Sequence, residues 1–486
     1  MNFRKQIHLK AILYLLLCWT TMAAPAVSQN ISDKVWSVVE NSTAQDAFWS
    51  IVVRDSTGSI LENYHKAKLI RPASNLKLLT SAAVLNHLGP DFTYTTTMYG
   101  LGYQEGQTWR GDIVINGSGD PSISGDFYDG DRFHVFDKFY RTLDSLGIYK
   151  IDGNLIGNAA YLDDQPYPKG WSWEDLSFYY GVEISALSFN DNAVDLEVFA
   201  NDKVGETPRI QWFPFDTDYV NFINEQVITP SNSEYDEFYR RIPGTNTIIL
   251  RSTLPQGYYE KESLSVLNAP LYFMDTFKKY LEDGQIQVNG RILIENQQPI
   301  SDLDEYEILA EHKSEPLKNL LKEVNKGSNN FYAEMLLKTA AAEYYKTQGS
   351  TELGISMVKE YAHSVGLDTT NIEMTDGSGM SPATLIKAAD LTGLLYNMKA
   401  DSIYTNTLSQ PGMEGSLEHR FKNHPVRNSL MGKTGYVSGV RALSGYMKAQ
   451  SGQKLTFSIV TNNYTSKTSY IDYLHEKLIK ALYSKY

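Results

Sequence analysis

The sequence predicts an α+β protein in which one domain of helices and antiparallel strands is interrupted by a long β-rich insertion. Three observations support this prediction. Strand and helix patterns occur near the N-terminus, similar patterns return in the last part of the chain, and short strands separated by Gly, Asp, Asn and Pro turns lie between them. The chain has 486 residues, which is longer than one ordinary domain. The simplest arrangement is one domain built from both ends of the chain, with further domains between them.

The first part of this domain is expected at residues 29–95. The β-branched run Ala47–Arg54 and a second run at Ser59–Tyr64 flank a Ser-Thr-Gly turn, which predicts a hairpin. Small and apolar residues then continue from Leu76 to Leu88 and stop at Gly89-Pro90, a combination that ends helices. A buried helix is therefore expected after the hairpin.

The β-rich insertion is expected at residues 96–305 and the second part of the domain at residues 306–486. Within the insertion, Gly111–Gly117 is typical of the short alternating strands. The apolar face of the last helix is expected to pack against the sheet, with a membrane anchor as the alternative. The second part is predicted to form two helices, three strands and a final helix at Leu317–Lys326, Phe331–Tyr345, Leu430–Tyr436, Arg441–Lys448, Lys454–Val460 and Tyr470–Tyr483.

Residues 1–28 have the pattern of a secretory signal peptide. Basic residues, among them Arg4 and Lys5, precede the short apolar run Ala11–Trp19, and small residues follow at 23–28. No later stretch reaches the roughly 18 apolar residues that a membrane-spanning helix requires. We therefore expect an exported protein without an integral membrane segment after signal cleavage.

Composition excludes several classes of function. The net charge of −13 disfavours binding to nucleic acid, because the phosphate backbone is also negative. The single cysteine, Cys18, lies in the expected signal peptide, so the mature chain has no thiol for a disulfide, a zinc site or a nucleophile. Whether Cys18 carries a lipid stays open. No metal site and no cofactor are predicted, since the histidines are scattered.

Ser74 and Lys77 form the first motif that points to chemistry. Residues three positions apart share a helix face, so the amine can reach the hydroxyl. A lysine can act as the base for a serine nucleophile when burial and a nearby cation disfavour its charged form. Ser-x-x-Lys also occurs at residues 356–359 and 451–454. The motif at Ser74 differs from these because a hairpin precedes it and a small-residue helix follows.

The second motif is Ser328-Asn329-Asn330, in a tight connection between two predicted helices. Here the hydroxyl of Ser328 could relay a proton to a leaving group, and the amide of Asn330 could hold a substrate amide. The tripeptide pattern Ser-x-Asn also occurs at residues 28–30 and 188–190. The motif therefore gains its meaning from the first and third motifs.

The third motif is Lys433-Thr434-Gly435, on a predicted strand. Lys433 and Thr434 offer a cation and a hydroxyl to a carboxylate. Gly435 leaves room for a substrate backbone along the strand edge, and the N–H of Tyr436 is expected to form an oxyanion hole with that of Ser74.

These three motifs, in this order, are typical of serine β-lactamases and penicillin-binding proteins. The chain resembles the D-alanyl-D-alanine carboxypeptidase/endopeptidase family typified by penicillin-binding protein 4. The resemblance extends beyond the motifs to LGPDFTYTTT (88–97), GDIVINGSGDPSIS (111–124), GWSWEDLSFYYG (170–181), TDGSGMSP (375–382) and GMEGSL (412–417).

The resemblance implies a transpeptidase-like domain interrupted by two smaller domains, one nested in the other. It also implies that the penultimate D-Ala carbonyl of a peptidoglycan stem peptide acylates Ser74, with Lys77 as the base. Ser328 and Asn330 would supply the proton relay and substrate contacts. Lys433 would bind the terminal carboxylate together with Thr434.

The same resemblance implies the substrate and the inhibitors. Asp175 would bind the side-chain amine of a diaminopimelate residue, β-lactam antibiotics would act as covalent inhibitors, and the protein would work in the periplasm. The loop at residues 375–382 departs from the family at Met380 and Pro382, and we expect no direct chemistry from it.

Two other functions remain open at this point. One is a secreted serine β-lactamase or esterase of the same fold, and the other is a wall-binding protein without catalysis. The first is disfavoured because no Glu-x-x-Leu-Asn segment, which would carry the deacylating carboxylate, follows Ser328 within the next 50 residues. The second is disfavoured because Ser74, Lys77, Ser328 and Lys433 are all present.

Overall fold

The computed structural model describes residues 29–214, 217–297 and 306–486. The expected signal peptide, with Cys18, lies outside the described residues. In the described residues the α-helices are α1 (Asp33–Glu40), α2 (Lys77–Leu88), α3 (His134–Ser145), α4 (Ala269–Asp283), α5 (Leu317–Lys322), α6 (Asn330–Tyr345), α7 (Thr351–Ser364), α8 (Ala388–Met398), α9 (Ser402–Thr405) and α10 (Thr468–Lys485).

The strands of the first part of the chain precede or follow the helix that carries Lys77. They are β1 (Phe48–Arg54), β2 (Ile60–Tyr64), β3 (Leu69–Ile70), β4 (Thr95–Glu105), β5 (Thr108–Asn116), β6 (Lys150–Asp152) and β7 (Leu155–Asn158). The strands of the middle are β8 (Ala193–Phe199), β9 (Arg209–Phe213), β10 (Asn221–Asn224), β11 (Val227–Thr229), β12 (Tyr239–Arg241), β13 (Thr247–Leu250), β14 (Thr253–Pro255), β15 (Tyr259–Ser265), β16 (Gln287–Val288) and β17 (Ile292–Glu295). The remaining strands are β18 (Glu307–Lys313), β19 (Ile386–Lys387), β20 (Leu430–Val437), β21 (Val440–Lys448) and β22 (Lys454–Asn462).

A five-stranded antiparallel sheet joins the two ends of the chain. Its order is β2-β1-β22-β21-β20, so the hairpin near the N-terminus pairs with the last strand. Helices cover both faces: Ile51 and Val53 pack with α1 and α10, whereas Val52 packs with Ala388 at the start of α8. This alternation follows from the strand geometry, in which neighbouring side chains point to opposite faces. The predicted α+β domain built from both ends is confirmed.

The middle of the chain contains a larger mixed sheet and three smaller ones. The larger sheet has the order β16-β6-β5-β4-β18, and β7 pairs with β5 while β17 pairs with β7. Strands β8–β15, between residues 193 and 265, form the smaller sheets by themselves. This separation supports the expectation of one inserted domain nested in another, which we keep as a proposal.

Two features of the middle region differ from the sequence expectation. The β-rich segment also contains α3 and α4. Asn268 caps the N-terminus of α4 through its side chain, which accepts a hydrogen bond from the N–H of Leu271, and the helix buries Phe273 and Phe277. Moreover, β18 pairs with β4, although it follows the expected boundary at residue 305. We therefore propose that the insertion extends to about residue 314.

The final helix packs as expected. Ile471, Leu474, Leu478 and Leu482 are buried against the sheet. Among the helices of the described residues, none has both the length and the apolar character needed to cross a membrane.

Candidate active site

Ser74 lies in a 3₁₀ turn, Ala73–Leu76, directly before α2. The turn begins with Ala73 at a positive φ of 47°, an uncommon conformation for a residue other than glycine. It packs against β20 and β21, and the buried Asn75 amide lies 2.6 Å from the hydroxyl of Ser444 on β21. The sheet therefore holds the turn in place, and the half-buried Ser74 is left at the site.

Lys77 is fully buried one turn after Ser74. Its Nζ lies 2.9 Å from Ser74 Oγ and 2.6 Å from Asn330 Oδ1. Burial lowers the pKa of Lys77 to about 7, although the negative charges of Glu334 and Asp376 act in the opposite direction. A substantial fraction of the amine is therefore uncharged at neutral pH, and Nζ lies in contact with the Ser74 hydroxyl.

Ser328 and Asn330 lie at the start of α6. The π-helical turn Glu323–Gly327 precedes Ser328, which has a left-handed backbone (φ 62°), and Asn329 caps α6 by accepting the Tyr332 N–H. The Asn330 side chain accepts from Lys77 and donates to the Tyr180 carbonyl at 2.9 Å and to Met380 Sδ at 3.3 Å. Its amide thus orients the Lys77 amine in addition to any substrate contact.

Lys433 is a second fully buried amine, on β20. Its Nζ donates to Ser328 Oγ at 2.7 Å and to the Thr434 carbonyl at 2.8 Å. Burial lowers the pKa of Lys433 well below its ordinary value, and the positive charges of Lys77 and Arg441 lower it further. The site thus contains two serine–lysine pairs, Ser74 with Lys77 and Ser328 with Lys433.

Thr434, Gly435 and Tyr436 follow on the edge strand β20, which pairs with β21. A Cβ atom at Gly435 would lie 2.9 Å from the Pro72 carbonyl oxygen and 3.2 Å from the Ala73 Cβ. Glycine is therefore needed here for a reason that the sequence did not reveal: the turn of Ser74 lies directly against the strand. Thr434 is buried, and 55% of Tyr436 is exposed.

Asp175 lies at the start of the short 3₁₀ turn Asp175–Ser177. No hydrogen bond within the described residues joins its side chain to Ser74, Lys77 or Asn330. Burial and the neighbouring Glu174 raise the pKa of Asp175. Its negative charge contributes to the raised pKa of Tyr180, whose carbonyl accepts from Asn330. Asp175 therefore lies in the segment beside the site.

The loop at residues 375–382, from which the sequence predicts no direct chemistry, contacts the site through its backbone. The carbonyl of Ser378 accepts a hydrogen bond from Lys77 Nζ at 3.0 Å. Gly379 has a φ of +79°, and a Cβ there would lie 2.0 Å from the Ala73 carbonyl oxygen. Divergence at Met380 and Pro382 did not indicate this contact, because a backbone carbonyl supplies it.

Glu334 is a second residue that sequence reasoning missed. It is fully buried on α6, one turn after Asn330, and its carboxylate accepts hydrogen bonds from the N–H groups of Gly377 and Ser378. The available signal was a carboxylate within the apolar run 331–337, at the four-residue spacing that shares a face with Asn330.

One group of carboxylates in the described residues could hold a metal ion, although the sequence predicts no metal site. The carboxylate oxygens of Glu237, Glu260 and Glu262 lie within 4.8 Å of one another. Tyr239 donates a hydrogen bond to Glu260 at 2.7 Å, and Glu237 and Glu262 both raise the pKa of Tyr180. These carboxylates add negative charge on the side of the site where Asp175 lies.

Comparison with known proteins identifies the family. The chain matches the D-Ala-D-Ala carboxypeptidase 3 (S13) family over residues 31–475. It belongs to this family. The predicted resemblance, the α+β fold and the assignment to the serine-type D-Ala-D-Ala carboxypeptidases are therefore confirmed.

Relatives match over nearly the whole chain. The D-alanyl-D-alanine carboxypeptidase of Actinomadura sp. strain R39 is 28% identical over 460 residues, which cover 91% of this chain and 83% of that protein. D-alanyl-D-alanine carboxypeptidase DacB of Haemophilus influenzae is 27% identical over 455 residues, with 90% and 89% covered. The crystal structure of penicillin-binding protein 4 from H. influenzae superposes with a TM-score of 0.81 at 24% identity, covering 93% of this chain and 99% of that one.

Proposed function

We propose that this enzyme cleaves peptide bonds next to D-Ala in peptidoglycan stem peptides and cross-links, through an acyl-enzyme on Ser74. It would act both as a carboxypeptidase and as an endopeptidase. The observation that carries the proposal is the 2.9 Å contact between Ser74 Oγ and the fully buried amine of Lys77. A serine becomes a nucleophile when a base accepts its proton, and an uncharged lysine can be that base.

Acylation begins with the attack of Ser74 Oγ on the carbonyl carbon of the penultimate D-Ala. The hydroxyl proton passes to Lys77 Nζ, and the carbonyl oxygen becomes an oxyanion. The backbone N–H groups of Ser74 and Tyr436 are proposed to stabilise this charge. The close packing of Gly435 against the turn of Ser74 supports this pairing, because it brings the two backbone segments together.

The second serine–lysine pair serves the leaving group. When the tetrahedral intermediate collapses, the C–N bond breaks and the nitrogen of the departing D-Ala or peptide takes up a proton. We propose that Ser328, which accepts a hydrogen bond from Lys433 at 2.7 Å, relays this proton from the protonated Lys77. Lys433 and Thr434 would anchor the terminal carboxylate of the substrate.

Water completes the reaction. With Lys77 again uncharged, its amine accepts a proton from a water molecule that attacks the ester carbonyl and releases Ser74. A β-lactam would acylate Ser74 through its ring carbonyl and leave slowly. Penicillin-binding protein 4 of H. influenzae, which superposes with a TM-score of 0.76, has been solved in complex with a novel β-lactam.

Asp175 is proposed to bind the side-chain amine of a diaminopimelate residue. Its carboxylate and those of Glu237 and Glu262 act on the same tyrosine, Tyr180. A cationic substrate group next to Tyr180 would therefore meet negative charge from more than one side.

The signal-like residues 1–28 support export, and we place the enzyme in the periplasm as part of this proposal.

Labelling with a fluorescent penicillin tests the function. The parent protein should form a covalent adduct, and Ser74→Ala should form none. Ser356→Ala is the matched control, because Ser356 belongs to another Ser-x-x-Lys sequence but is exposed on α7, where its hydroxyl donates to the Glu352 carbonyl. An unlabelled parent, or a labelled Ser74→Ala, would contradict the proposal.

The two activities are separated by their substrates. Release of D-Ala from a pentapeptide measures the carboxypeptidase activity, and cleavage of a cross-linked dimer measures the endopeptidase activity. We expect both from the parent and neither from Ser74→Ala. A parent that forms the penicillin adduct but releases neither product would contradict the proposed substrate.

A further inference from the structure

A buried carboxylate holds the loop that contacts the amine of Lys77. Both carboxylate oxygens of Glu334 accept the Gly377 N–H, at 2.9 and 3.0 Å, and one of them also accepts the Ser378 N–H at 2.7 Å. Glu334 is 0% exposed. Its hydrogen bonds fix the peptide groups on both sides of Gly377, and therefore the segment that presents the Ser378 carbonyl.

This carbonyl determines where the lone pair of Lys77 points. An uncharged amine has two N–H bonds and one lone pair. The three groups around Nζ are the Asn330 oxygen at 2.6 Å, the Ser378 carbonyl at 3.0 Å and the Ser74 hydroxyl at 2.9 Å. The first two can only accept hydrogen bonds. When both N–H bonds are directed at them, the lone pair is left for the Ser74 hydroxyl.

We propose that Glu334 is a positioning residue for this reaction, which holds the Gly377–Ser378 backbone and thereby aims the Lys77 lone pair at Ser74. The inference rests on the proposed roles of Ser74 and Lys77. Glu334 acts through the loop, and no step requires it to touch the substrate.

The charge of Glu334 gives this role a distinct signature. The ionisable groups that face Lys77 are Glu334 on α6, Asp376 in the loop and Lys433 on β20. Burial and Asp376 raise the pKa of Glu334 to about 7, although the hydrogen bonds that its carboxylate accepts from Ser378 and Gly377 favour its ionised form. An ionised Glu334 stabilises the ammonium that Lys77 becomes when it takes the Ser74 proton. Its removal therefore lowers the pKa of Lys77.

The test is the rate of acylation by a labelled penicillin between pH 5 and 9, for full-length parent and variants. Glu334→Gln keeps the size of the side chain but removes the charge and one acceptor oxygen. We expect its plateau rate to fall by about 100-fold, because a small misplacement of a catalytic group can cost that much, and the midpoint of its acid limb to move down by up to about one pH unit. Glu343→Gln is the matched control, because Glu343 lies on the same helix but is half-buried and bonds to Tyr161. It should match the parent.

Other outcomes overturn the inference. A lower plateau with an unmoved midpoint would mean that Glu334 only supports the fold. An unchanged profile would mean that Glu334 neither supports the fold nor positions Lys77. Should Glu334→Gln fail to fold, Glu334→Asp decides: it keeps the charge but shortens the side chain, so its midpoint should stay at the parent value while its plateau falls. A parent plateau in Glu334→Asp would contradict the inference.

A second measurement follows Lys77 directly. In a Ser74→Ala background, the ¹³Cε signal of Lys77, assigned by its loss in Lys77→Arg, should titrate at lower pH when Glu334→Gln is added. An identical titration would contradict the inference. Failure of the proposed function is a separate result, because it would appear as a parent that penicillin does not acylate at any pH.

Discussion

Acidification should slow the acylation of Ser74, and the size of the decrease follows from the lowered pKa of the buried Lys77. At a pKa of about 7, about nine tenths of the amine is uncharged at pH 8 and about one hundredth at pH 5. Because only the uncharged amine can accept the Ser74 proton, the rate constant for acylation should fall by about 90-fold over this range. Above pH 8 it should change by less than about 20%.

The assay is the second-order rate constant of adduct formation with a penicillin whose side chain carries no ionisable group. It is measured by quenching at fixed times between pH 5 and 9, and thermal unfolding at each pH confirms that the protein stays folded. An ordinary lysine, with a pKa of 10.5, would instead give a rate that still rises about tenfold per unit at pH 9. Such a rise, or a flat profile, would refute the assignment of Lys77 as the base.

Three further predictions concern the substrate, the turn and the fold. Asp175→Ala should weaken cleavage of diaminopimelate-containing stems by at least about tenfold, with little change in acylation by penicillin. Gly435→Ala should slow acylation and cost about 1–3 kcal/mol of the free energy of unfolding, because the new Cβ meets the Pro72 carbonyl. Glu62→Gln should cost about 2 kcal/mol at neutral pH, because the buried carboxylate accepts hydrogen bonds from Ser32 and Lys485.

Each of these has an outcome that would contradict it. Equal losses with both substrates would remove Asp175 from the substrate site. Parent-like acylation and unfolding in Gly435→Ala would show that the strand and the turn can separate without cost. Burial alone would raise the pKa of Glu62, but the hydrogen bonds from Lys485 and Ser32 hold it below 4.5. The parent's extra stability over Glu62→Gln should therefore be present above pH 4.5 and decline as the pH falls below it. A constant difference down to pH 3 would contradict this.

The elements of the five-stranded sheet could be predicted from sequence because their apolar patterns are local. The same holds for α10, the helix that packs against this sheet: the expected final helix differs from it by two residues at each end. Helices α3 and α4 were missed because turn-rich strands surround them. The sequence places the end of the insertion at residue 305, before β18. The pairing of β18 with β4 could not be predicted, because strand pairing between distant segments leaves no local signal.

The residues of the site likewise fall into those that the sequence could predict and those that it could not. Ser74, Lys77, Ser328 and Lys433 could be named because hydroxyls and amines at fixed spacing carry the chemistry in their side chains. The contact from Ser378 could not, since any residue supplies a carbonyl. The Ser378 carbonyl matters only because the fold brings it to Lys77, which lies about 300 residues away in the sequence.

The position of β22, between β1 and β21 in the sheet, has a consequence for biosynthesis. During translation Ser74 is synthesised early. The strand β20, which carries Lys433, and the strand β22, which pairs with the N-terminal hairpin, are synthesised near the end of the chain. Partners so distant in the chain also find each other slowly. A nascent or prematurely terminated polypeptide would consequently be inert, and hydrolysis of the cell wall would be confined to molecules whose synthesis is complete.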